Sequence, residues 1–362
     1  MQSIVISVDA MGGDHGPDSV IQGLQGFARR HQDVGFIVHG DSGSLDDLVN
    51  RSPDLGRRCQ IRHSDAVVGM NDRPSHVMRH GRGTSMWGAL QSVHENEATV
   101  AVSCGNTGAL LALSMISLRK APHVNRPAIA ILWPTRNPGK FNVVLDVGAD
   151  IRADAEDLLK YALMGVSYAR TAHDLRKPRV GLLNVGTEEH KGRDELRHAH
   201  ELIRSAAKAN RYRFEGFVEG GDFPSEDIDV VVTDGFTGNI ALKAAEGTAS
   251  LIDDLLNEAF RYSPLSRMGA LFSYASLGRF KRRIDPRHVN GGVFLGLNGI
   301  VVKSHGSADA TSVEAAVALA YRLAKLQFHE KLVARVASVA VGTLDDSAGS
   351  EDVDQTGSVP SC

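Results

Sequence analysis

Residues Val230–Lys243 read VVVTDGFTGNIALK and combine a strand, a polar loop and the start of a helix in one short segment. The run of β-branched residues predicts a buried strand that ends at Asp234. A Gly-containing loop follows, and Asn239 and Lys243 open a long helical pattern. In an α/β sheet such a junction lies at the carboxyl end of a strand, where backbone N–H groups of the helix bind anions. The segment therefore predicts an α/β fold with an anion site beside Asp234.

The same strand–loop–helix pattern occurs three more times. Ile4–Val8 leads into DAMGGDHGP, Thr99–Val102 into SCGNTGALLAL, and Val180–Val185 into NVGTEEHKGRDEL. One such junction is weak evidence, because loops of ordinary α/β domains have the same composition. Four junctions, each with groups that bind phosphate or carbonyl oxygen, indicate one enzyme built around one crevice. The candidate substrate-binding residues in these loops are Asp9, Gly12, Gly13, Asp14, Ser103, Asn106, Thr107, Asn184, Glu188 and Asp234.

The composition is that of an ordinary soluble globular protein. The chain has 362 residues, 42% hydrophobic and 23% charged, with a formal net charge of −3. That charge gives no reason to expect a nucleic-acid partner. Three cysteines are too few and too scattered for a disulfide framework or a zinc site. With no apolar run of about 18 residues and no signal-peptide pattern, we expect a cytoplasmic protein.

Strands and helices alternate along nearly the whole chain, which predicts a mostly parallel sheet with helices on both faces. Two late strands, Gly292–Leu295 and Gly299–Lys303, are predicted to form a hairpin, and Thr311–Ala340 a long closing helix. We expect residues 1–342 to form one enlarged α/β domain with a protruding helical segment at about 250–284, and residues 343–362 an acidic disordered tail. The other predicted strands are Ile4–Val8, Gly35–His39, Gln60–His63, Val100–Ser103, Ala128–Trp133, Asn142–Asp146, Val180–Val185 and Val230–Thr233.

Six sequence blocks, taken in order, resemble the bacterial phosphate acyltransferase family. They are DAMGGD at Asp9–Asp14, SCGNTGA at Ser103–Ala109, DVGA at Asp146–Ala149, NVGTE with HKG at Asn184–Gly192, DGFTGNIALK at Asp234–Lys243, and the NGG and KSHG segments near Asn290 and Lys303. The resemblance implies transfer of a fatty acyl group from acyl carrier protein to inorganic phosphate, giving acyl phosphate for phospholipid synthesis. It also implies an enlarged α/β sandwich similar to isocitrate dehydrogenases and phosphate acetyltransferases, a homodimer, and a glycerol-phosphate acyltransferase downstream. It adds Asp146 and His305 to the candidate substrate-binding residues.

Attack of phosphate on a thioester needs positioned donors for two sets of anionic oxygens and no covalent enzyme nucleophile. We select Lys191, Asn239 and Lys243 as candidate catalytic residues that stabilise this charge. Each has an ordinary structural alternative: Lys191 as a solvated loop lysine, Asn239 as a helix cap, and Lys243 as a surface lysine with a buried stem.

Other polar residues in the motifs favour supporting roles. Asp9 and Asp14 would repel phosphate unless they bind a donor, so we interpret them as loop organisers. Cys104 is interpreted as a small core residue rather than a nucleophile. His305 could protonate the leaving thiol, but a structural histidine bonded to backbone is the simpler reading. No HExxH-like spacing is present, and we expect neither a metal nor a cofactor.

One segment suggests a surface contact. Between residues 263 and 284, apolar residues are interspersed with five cationic residues, and no acidic residue occurs. Such a segment suits an anionic membrane surface, to which the protein would attach peripherally through Leu271, Phe272, Arg279 and Lys281. The acidic face of acyl carrier protein or a dimer contact would suit it equally.

Two rival functions remain from the sequence. A short-chain phosphate acyltransferase similar to phosphate acetyltransferases is the nearer one. A dinucleotide-dependent dehydrogenase is weaker, because the first strand is not followed by GxGxxG. A non-catalytic scaffold for lipid enzymes would not need so many polar loop residues.

Overall fold

Eleven strands form one mixed sheet in the computed structural model, which describes residues 4–284 and 291–335. The side chains of 281–284 are not described, so Lys281 lies outside the described side chains, as do the tail at 343–362 and the end of the helix expected to reach Ala340. The strands are β1 Ile4–Asp9, β2 Val34–Gly40, β3 Cys59–His63, β4 Val100–Ser103, β5 Ala128–Pro134, β6 Phe141–Leu145, β7 Arg179–Leu183, β8 Arg213–Val218, β9 Val230–Val232, β10 Gly292–Leu295 and β11 Ile300–Lys303. The sheet order is β3-β2-β1-β4-β11-β10-β5-β6-β9-β7-β8.

The two flanks of the sheet run in opposite directions. Seven of the ten neighbouring strand pairs are parallel, and the three antiparallel pairs join β11 to β10, β10 to β5 and β5 to β6. Consequently β1, β4 and β11 point one way, whereas β6, β9 and β7 point the other. The register nevertheless brings the carboxyl ends of both sets to neighbouring levels, because one row across the sheet contains Val8, Val102, Val302, Val293, Ala130, Leu145, Val232 and Leu182. The loops after β1, β4 and β11 therefore begin close to the level at which the loops after β6, β7 and β9 begin.

Helices cover both faces of the sheet. The named helices are α1 Gly16–Arg30, α2 Ser42–Asn50, α3 Pro53–Gly56, α4 Pro74–His80, α5 Ser85–His94, α6 Thr107–Ser117, α7 Ala155–His173, α8 Asp194–Ala206, α9 Gly235–Arg261, α10 Pro264–Phe272, α11 Tyr274–Ile284 and α12 Ala310–Lys325. On β4, Val100 and Val102 join the core beneath α1 and α12, whereas Ala101 faces the core beneath α5 and α6.

The predicted strands agree with the structure to within about two residues, but two elements differ. β8 was not predicted, because Arg213, Glu215 and Gly216 interrupt its apolar pattern; Gly216 has φ +87° and sits at a register shift against β7. The closing helix is broken, since α12 ends at Lys325 and Gln327 adopts φ +51° before helix resumes at 328–335. The fold class expected from the sequence is confirmed.

Candidate active site

Asp9, at the end of β1, organises the first group of loops. Its carboxylate accepts hydrogen bonds from Ser103 Oγ at 2.7 Å and from the Met11 N–H at 3.3 Å. Ser103 Oγ in turn accepts the Gly105 N–H at 3.0 Å. Burial raises the pKa of Asp9, although these hydrogen bonds oppose the rise. The carboxylate thus ties the loop after β1 to the loop after β4.

Glycines allow these loops to approach each other closely. A Cβ on Gly12 would lie 2.7 Å from the Gly105 nitrogen, and one on Gly13, which has φ +97°, would lie 2.9 Å from the Gly306 carbonyl oxygen. The Asp14 N–H donates to the same Gly306 oxygen at 2.8 Å, while the Asp14 side chain is exposed. The loops after β1, β4 and β11 therefore form one continuous backbone surface.

The N-terminus of α6 lies at this surface. Asn106 caps the helix by accepting the Ala109 N–H at 3.0 Å, and its amide nitrogen donates to the carbonyls of Met70 at 2.7 Å and Asp72 at 3.1 Å. Thr107, the first helical residue, is exposed. The first-turn N–H groups of a helix can bind an anion.

Lys303 is a buried cation beside the same loops, and it was not selected from the sequence. It ends β11, is only 8% exposed, and its ammonium group donates to the Cys104 oxygen at 3.4 Å and to the Ser304 oxygen. Burial lowers the pKa of Lys303 to about 8, and the nearby Lys243 charge acts in the same direction. A lysine at the end of the otherwise apolar strand IVVK was the available signal.

Helix α9 brings Lys243 to this group from the other half of the sheet. The Lys243 ammonium lies 3.4 Å from His305 Nε2 and forms an ion pair with Glu246 at 2.7 Å. His305 Nδ1 contacts Ser307 Oγ at 2.8 Å, and partial burial together with Lys243 lowers the pKa of His305. His305 therefore faces a cationic side chain as well as its own loop.

Asp146 organises the second group of loops, after β6. Its carboxylate accepts N–H groups of Ile129, Gly148, Ala149 and Asp150 at 2.6–3.0 Å. Burial raises the pKa of Asp146 to about 6 in spite of these donors. Every described hydrogen bond of this carboxylate is to backbone, so Asp146 shapes the loop.

The start of α9 is held tightly against that loop. A Cβ on Gly238 would lie 1.9 Å from the Asp146 carbonyl oxygen, and only Gly235 and Gly238 are buried along the whole helix. Asp234 is the N-cap, accepting the Thr237 N–H at 2.8 Å, and it also binds Arg193 at 2.6 Å. Asn239 therefore does not cap the helix. The structural alternative that the sequence offered for Asn239 is wrong.

Asn239 and the loop after β7 complete the second group. Asn239 is exposed and lies against Gly148, where an added Cβ would be 3.6 Å from its side chain. Asn184 donates to the Lys191 carbonyl at 3.0 Å, and the Lys191 ammonium pairs with Glu188 at 2.8 Å. The loop thus carries Lys191 on its solvent side.

The two groups meet along the first turns of α9. Asn239 and Lys243 are four residues apart and so lie on the same face of the helix. Asn239 contacts the Asp146 loop, whereas Lys243 contacts the His305 loop. The arrangement offers two ammonium groups, an amide and a helix N-terminus, which together can bind phosphate and a developing oxyanion.

Comparison with known proteins identifies the family. Residues 4–331 match the family described as "Fatty acid synthesis protein". A relative from Cereibacter sphaeroides named phosphate acyltransferase is 64% identical over 335 residues, which cover 92% of this chain and 91% of the relative. A relative of the same name from Paracoccus denitrificans is 62% identical over 350 residues, covering 96% of this chain and 95% of its own. This chain belongs to the bacterial phosphate acyltransferase family.

Solved structures with a similar fold include two phosphotransacetylases. The one from Streptococcus pyogenes has a TM-score of 0.59 at 15% identity and covers 90% of this chain and 94% of its own. EutD phosphotransacetylase from Staphylococcus aureus has a TM-score of 0.55 at 14% identity and covers 91% and 94%. At these identities the likeness concerns the fold alone, and it agrees with the fold expected for a phosphate acyltransferase.

Within this phosphate acyltransferase, Cys104 is a poor candidate for a nucleophile. The thiol is buried, and burial raises its pKa to about 11. A thiolate is therefore scarce at neutral pH. The structure keeps Cys104 as part of the core beneath the Gly13 loop.

The helical tip, defined as residues 263–280, extends beyond the sheet. Leu265, Leu271 and Phe272 are 78%, 73% and 85% exposed, and Arg267 and Arg279 are exposed beside them. Among the described residues, no helix is long and apolar enough to cross a membrane. The helical tip thus exposes apolar and cationic side chains side by side.

Proposed function

We propose that this phosphate acyltransferase takes a long-chain acyl group from acyl carrier protein and transfers it to inorganic phosphate. The observation that carries the proposal is the meeting of Lys303, Lys243 and the N-terminus of α6 around glycine loops. This donor set suits a small dianion and an oxyanion together.

The proposed reaction is direct attack of phosphate on the thioester. A phosphate oxygen forms a bond to the carbonyl carbon, and the carbonyl electron pair moves onto oxygen. Collapse of this tetrahedral species re-forms the carbonyl and breaks the carbon–sulfur bond, and the electron pair leaves with sulfur. A thiol of pKa near 8.5 leaves readily and can take its proton from solvent. The lysines and N–H groups supply charge stabilisation without forming a covalent intermediate.

Apolar side chains beside the second group support a fatty substrate. Val185, Phe236 and Ile240 are 80%, 59% and 54% exposed on the loop after β7 and the first turns of α9. Covering such side chains with an alkyl chain is favourable by about 25 cal/mol per Å² of apolar surface. The same feature argues against a strictly short-chain acyltransferase, the nearest rival.

Release of thiol measures the reaction directly. The donors are a long-chain acyl group on acyl carrier protein, palmitoyl-CoA and acetyl-CoA, each with and without phosphate. We expect phosphate-dependent release that saturates with phosphate and is fastest with the carrier donor. A clear preference for acetyl-CoA would favour the short-chain rival, and release that is independent of phosphate would contradict phosphate transfer.

We further propose that the helical tip attaches the protein reversibly to anionic membrane. Exposed cations contribute about 1 kcal/mol each near such a surface, and apolar side chains add burial. Leu271→Glu with Phe272→Glu should release the protein from phosphatidylglycerol-rich vesicles, with activity on soluble donor unchanged. Vesicle sedimentation that still retains this variant would contradict the proposal.

The homodimer implied by the family resemblance is a separate proposal. Leu251 and Leu255, one turn apart on α9, are 56% and 54% exposed, which favours a partner helix of a second copy. Leu251→Glu with Leu255→Glu should yield a monomer in analytical ultracentrifugation, whereas the tip variant should remain dimeric. A dimer that survives the α9 changes but not the tip changes would assign the tip to the interface.

A further inference from the structure

Helix α4 and its flanks form a cationic surface. Arg73, His76, Arg79, His80 and Arg82 are all exposed, and no acidic residue occurs in the sequence from 73 to 94. The preceding acid, Asp72, is half-buried and accepts the Gly69 N–H at 2.8 Å, so it is turned into its own loop. We call these five side chains the α4 surface.

The α4 surface lies beside the loops that hold Lys303. Pro74 packs on Gly108, where an added Cβ would be 2.9 Å from its ring, and a Cβ on Gly81 would be 3.0 Å from Leu113. Helix α4 therefore runs alongside α6 in the same direction, with Arg73 at the end nearest the α6 N-terminus. The Asn106 side-chain amide donates to the Met70 and Asp72 carbonyls and so links the start of α4 to the start of α6.

No charge on α6 offsets the three arginines of the α4 surface. Residues 107–118 of α6 and its C-cap include no Asp, Glu, Lys or Arg. Apolar side chains are also available, because Met78 and Met115 on these two helices are 49% and 36% exposed. A cationic rim with an apolar centre is typical of a surface that binds an acidic protein.

We propose that the α4 surface is where an acidic protein carrying the acyl thioester docks. The proposal rests on the proposed function, in which acyl carrier protein is the donor. An acidic face placed on Arg73 and Arg79 would bring its thioester arm to the edge of the loops between β4 and α6. Opposite charges would also accelerate the encounter, and this acceleration would weaken as salt increases.

A second cationic region provides a matched control. A cavity of about 980 Å³ is lined by Arg170, Arg176, Lys177, Lys208, Arg211 and Arg213. Arg213 begins β8, so this cavity lies at the amino end of that strand, whereas the loop that carries Lys191 follows the carboxyl end of the neighbouring β7. Arg176 and Lys177 are exposed, as Arg73 and Arg79 are.

The test compares Arg73→Glu with Arg79→Glu against Arg176→Glu with Lys177→Glu, two double variants with the same change of charge. Each is assayed with one acyl group carried either by acyl carrier protein or by pantetheine, which has no acidic face. We expect the α4 variant to raise KM for the carrier donor about tenfold or more with kcat retained. Its rates with acyl-pantetheine should stay within about twofold, and its salt dependence with the carrier should flatten.

Binding of the carrier alone, followed by titration calorimetry, tests the surface independently of turnover. Equal losses with both donors would overturn the proposal, because Arg73 and Arg79 would then act on the site or the fold. Unchanged carrier binding in the α4 variant, or a loss in the control variant instead, would also overturn it. Absence of phosphate-dependent turnover with either donor in the unaltered protein would refute the proposed function, while carrier binding would still decide the docking surface.

Discussion

Substitution of Lys303 tests the candidate site directly, because burial disfavours the charged form of this lysine in the folded protein. The lowering of its pKa from 10.5 to about 8 corresponds to about 3 kcal/mol against the charged form, at about 1.4 kcal/mol for each pH unit. Lys303→Met keeps the apolar stem and removes the charge. We expect kcat/KM for phosphate to fall about 100-fold or more, the scale of losing one preorganised donor.

Lys303→Met should change the stability of the protein much less than its activity. Removing the buried charge is favourable, whereas the Cys104 and Ser304 carbonyls lose their donor at a cost of about 1–3 kcal/mol. These contributions are of similar size and opposite sign, so Tm at pH 7 should change little. A large fall in Tm with near-normal kcat/KM would refute the reasoning, since Lys303 would then be a structural residue.

The pH dependence supplies an independent check. Initial rates of phosphate-dependent thiol release should fall as pH rises through about 8, where Lys303 loses its proton. Lys303→Arg keeps its charge and should move this fall to higher pH. Between about pH 8 and 10.5 the unfolded chain holds a proton that the folded protein has lost, so the unfolding free energy of the unaltered protein should rise relative to Lys303→Met.

The remaining predictions concern the other site residues. Lys191→Ala and Asn239→Ala should each lower kcat by about 100-fold with little change in Tm, because both side chains are exposed; near-normal turnover in both would contradict their assignment. Cys104→Ala should remain active, since the thiol is buried and its pKa is raised to about 11; an inactive variant with unchanged circular dichroism would indicate a role for the thiol. Asp146→Asn should lower Tm, because the new amide presents a donor to backbone N–H groups, with a cost of about 1–3 kcal/mol measured by thermal melts. Activity should survive thorough chelation, since lysines and N–H groups stabilise the charge; loss restored only by a divalent ion would refute this.

The sequence predicted most of the strands because buried strands of an α/β sheet are continuous apolar runs. Val230–Val232 and Val100–Ser103 are examples that are apolar or small throughout. β8 was missed because a strand at the sheet edge has one strand neighbour and tolerates Arg213 and Glu215. The reversal of direction between the two flanks of the sheet could not be predicted, because it depends on the pairing of β10 with β5, which lie far apart in the sequence.

The candidate site shows the same division between local and long-range information. Glycine loops and helix caps are local signals, so the loops around Asp9, Asn106 and Asp234 could be found from the sequence. The importance of Lys303 depends on burial against Cys104 and Ser304 and on its distance from Lys243. These relations exist only in the folded chain. The motif IVVK alone therefore indicated no role for Lys303.

Gly238 packs directly against the Asp146 carbonyl oxygen, so a tilt of α9 would turn about this contact, which lies beside the candidate active site. At 1.5 Å per residue, the far end of the helix at Arg261 lies about 35 Å from Gly238, and Lys243 about 7 Å. A tilt of about 10° about that contact would displace the far end by about 6 Å and Lys243 by about 1 Å. A shift of about 1 Å in a positioned group is enough to change a rate about 100-fold. A partner that binds the distal end of α9 and tilts the helix would therefore also move the ammonium group of Lys243.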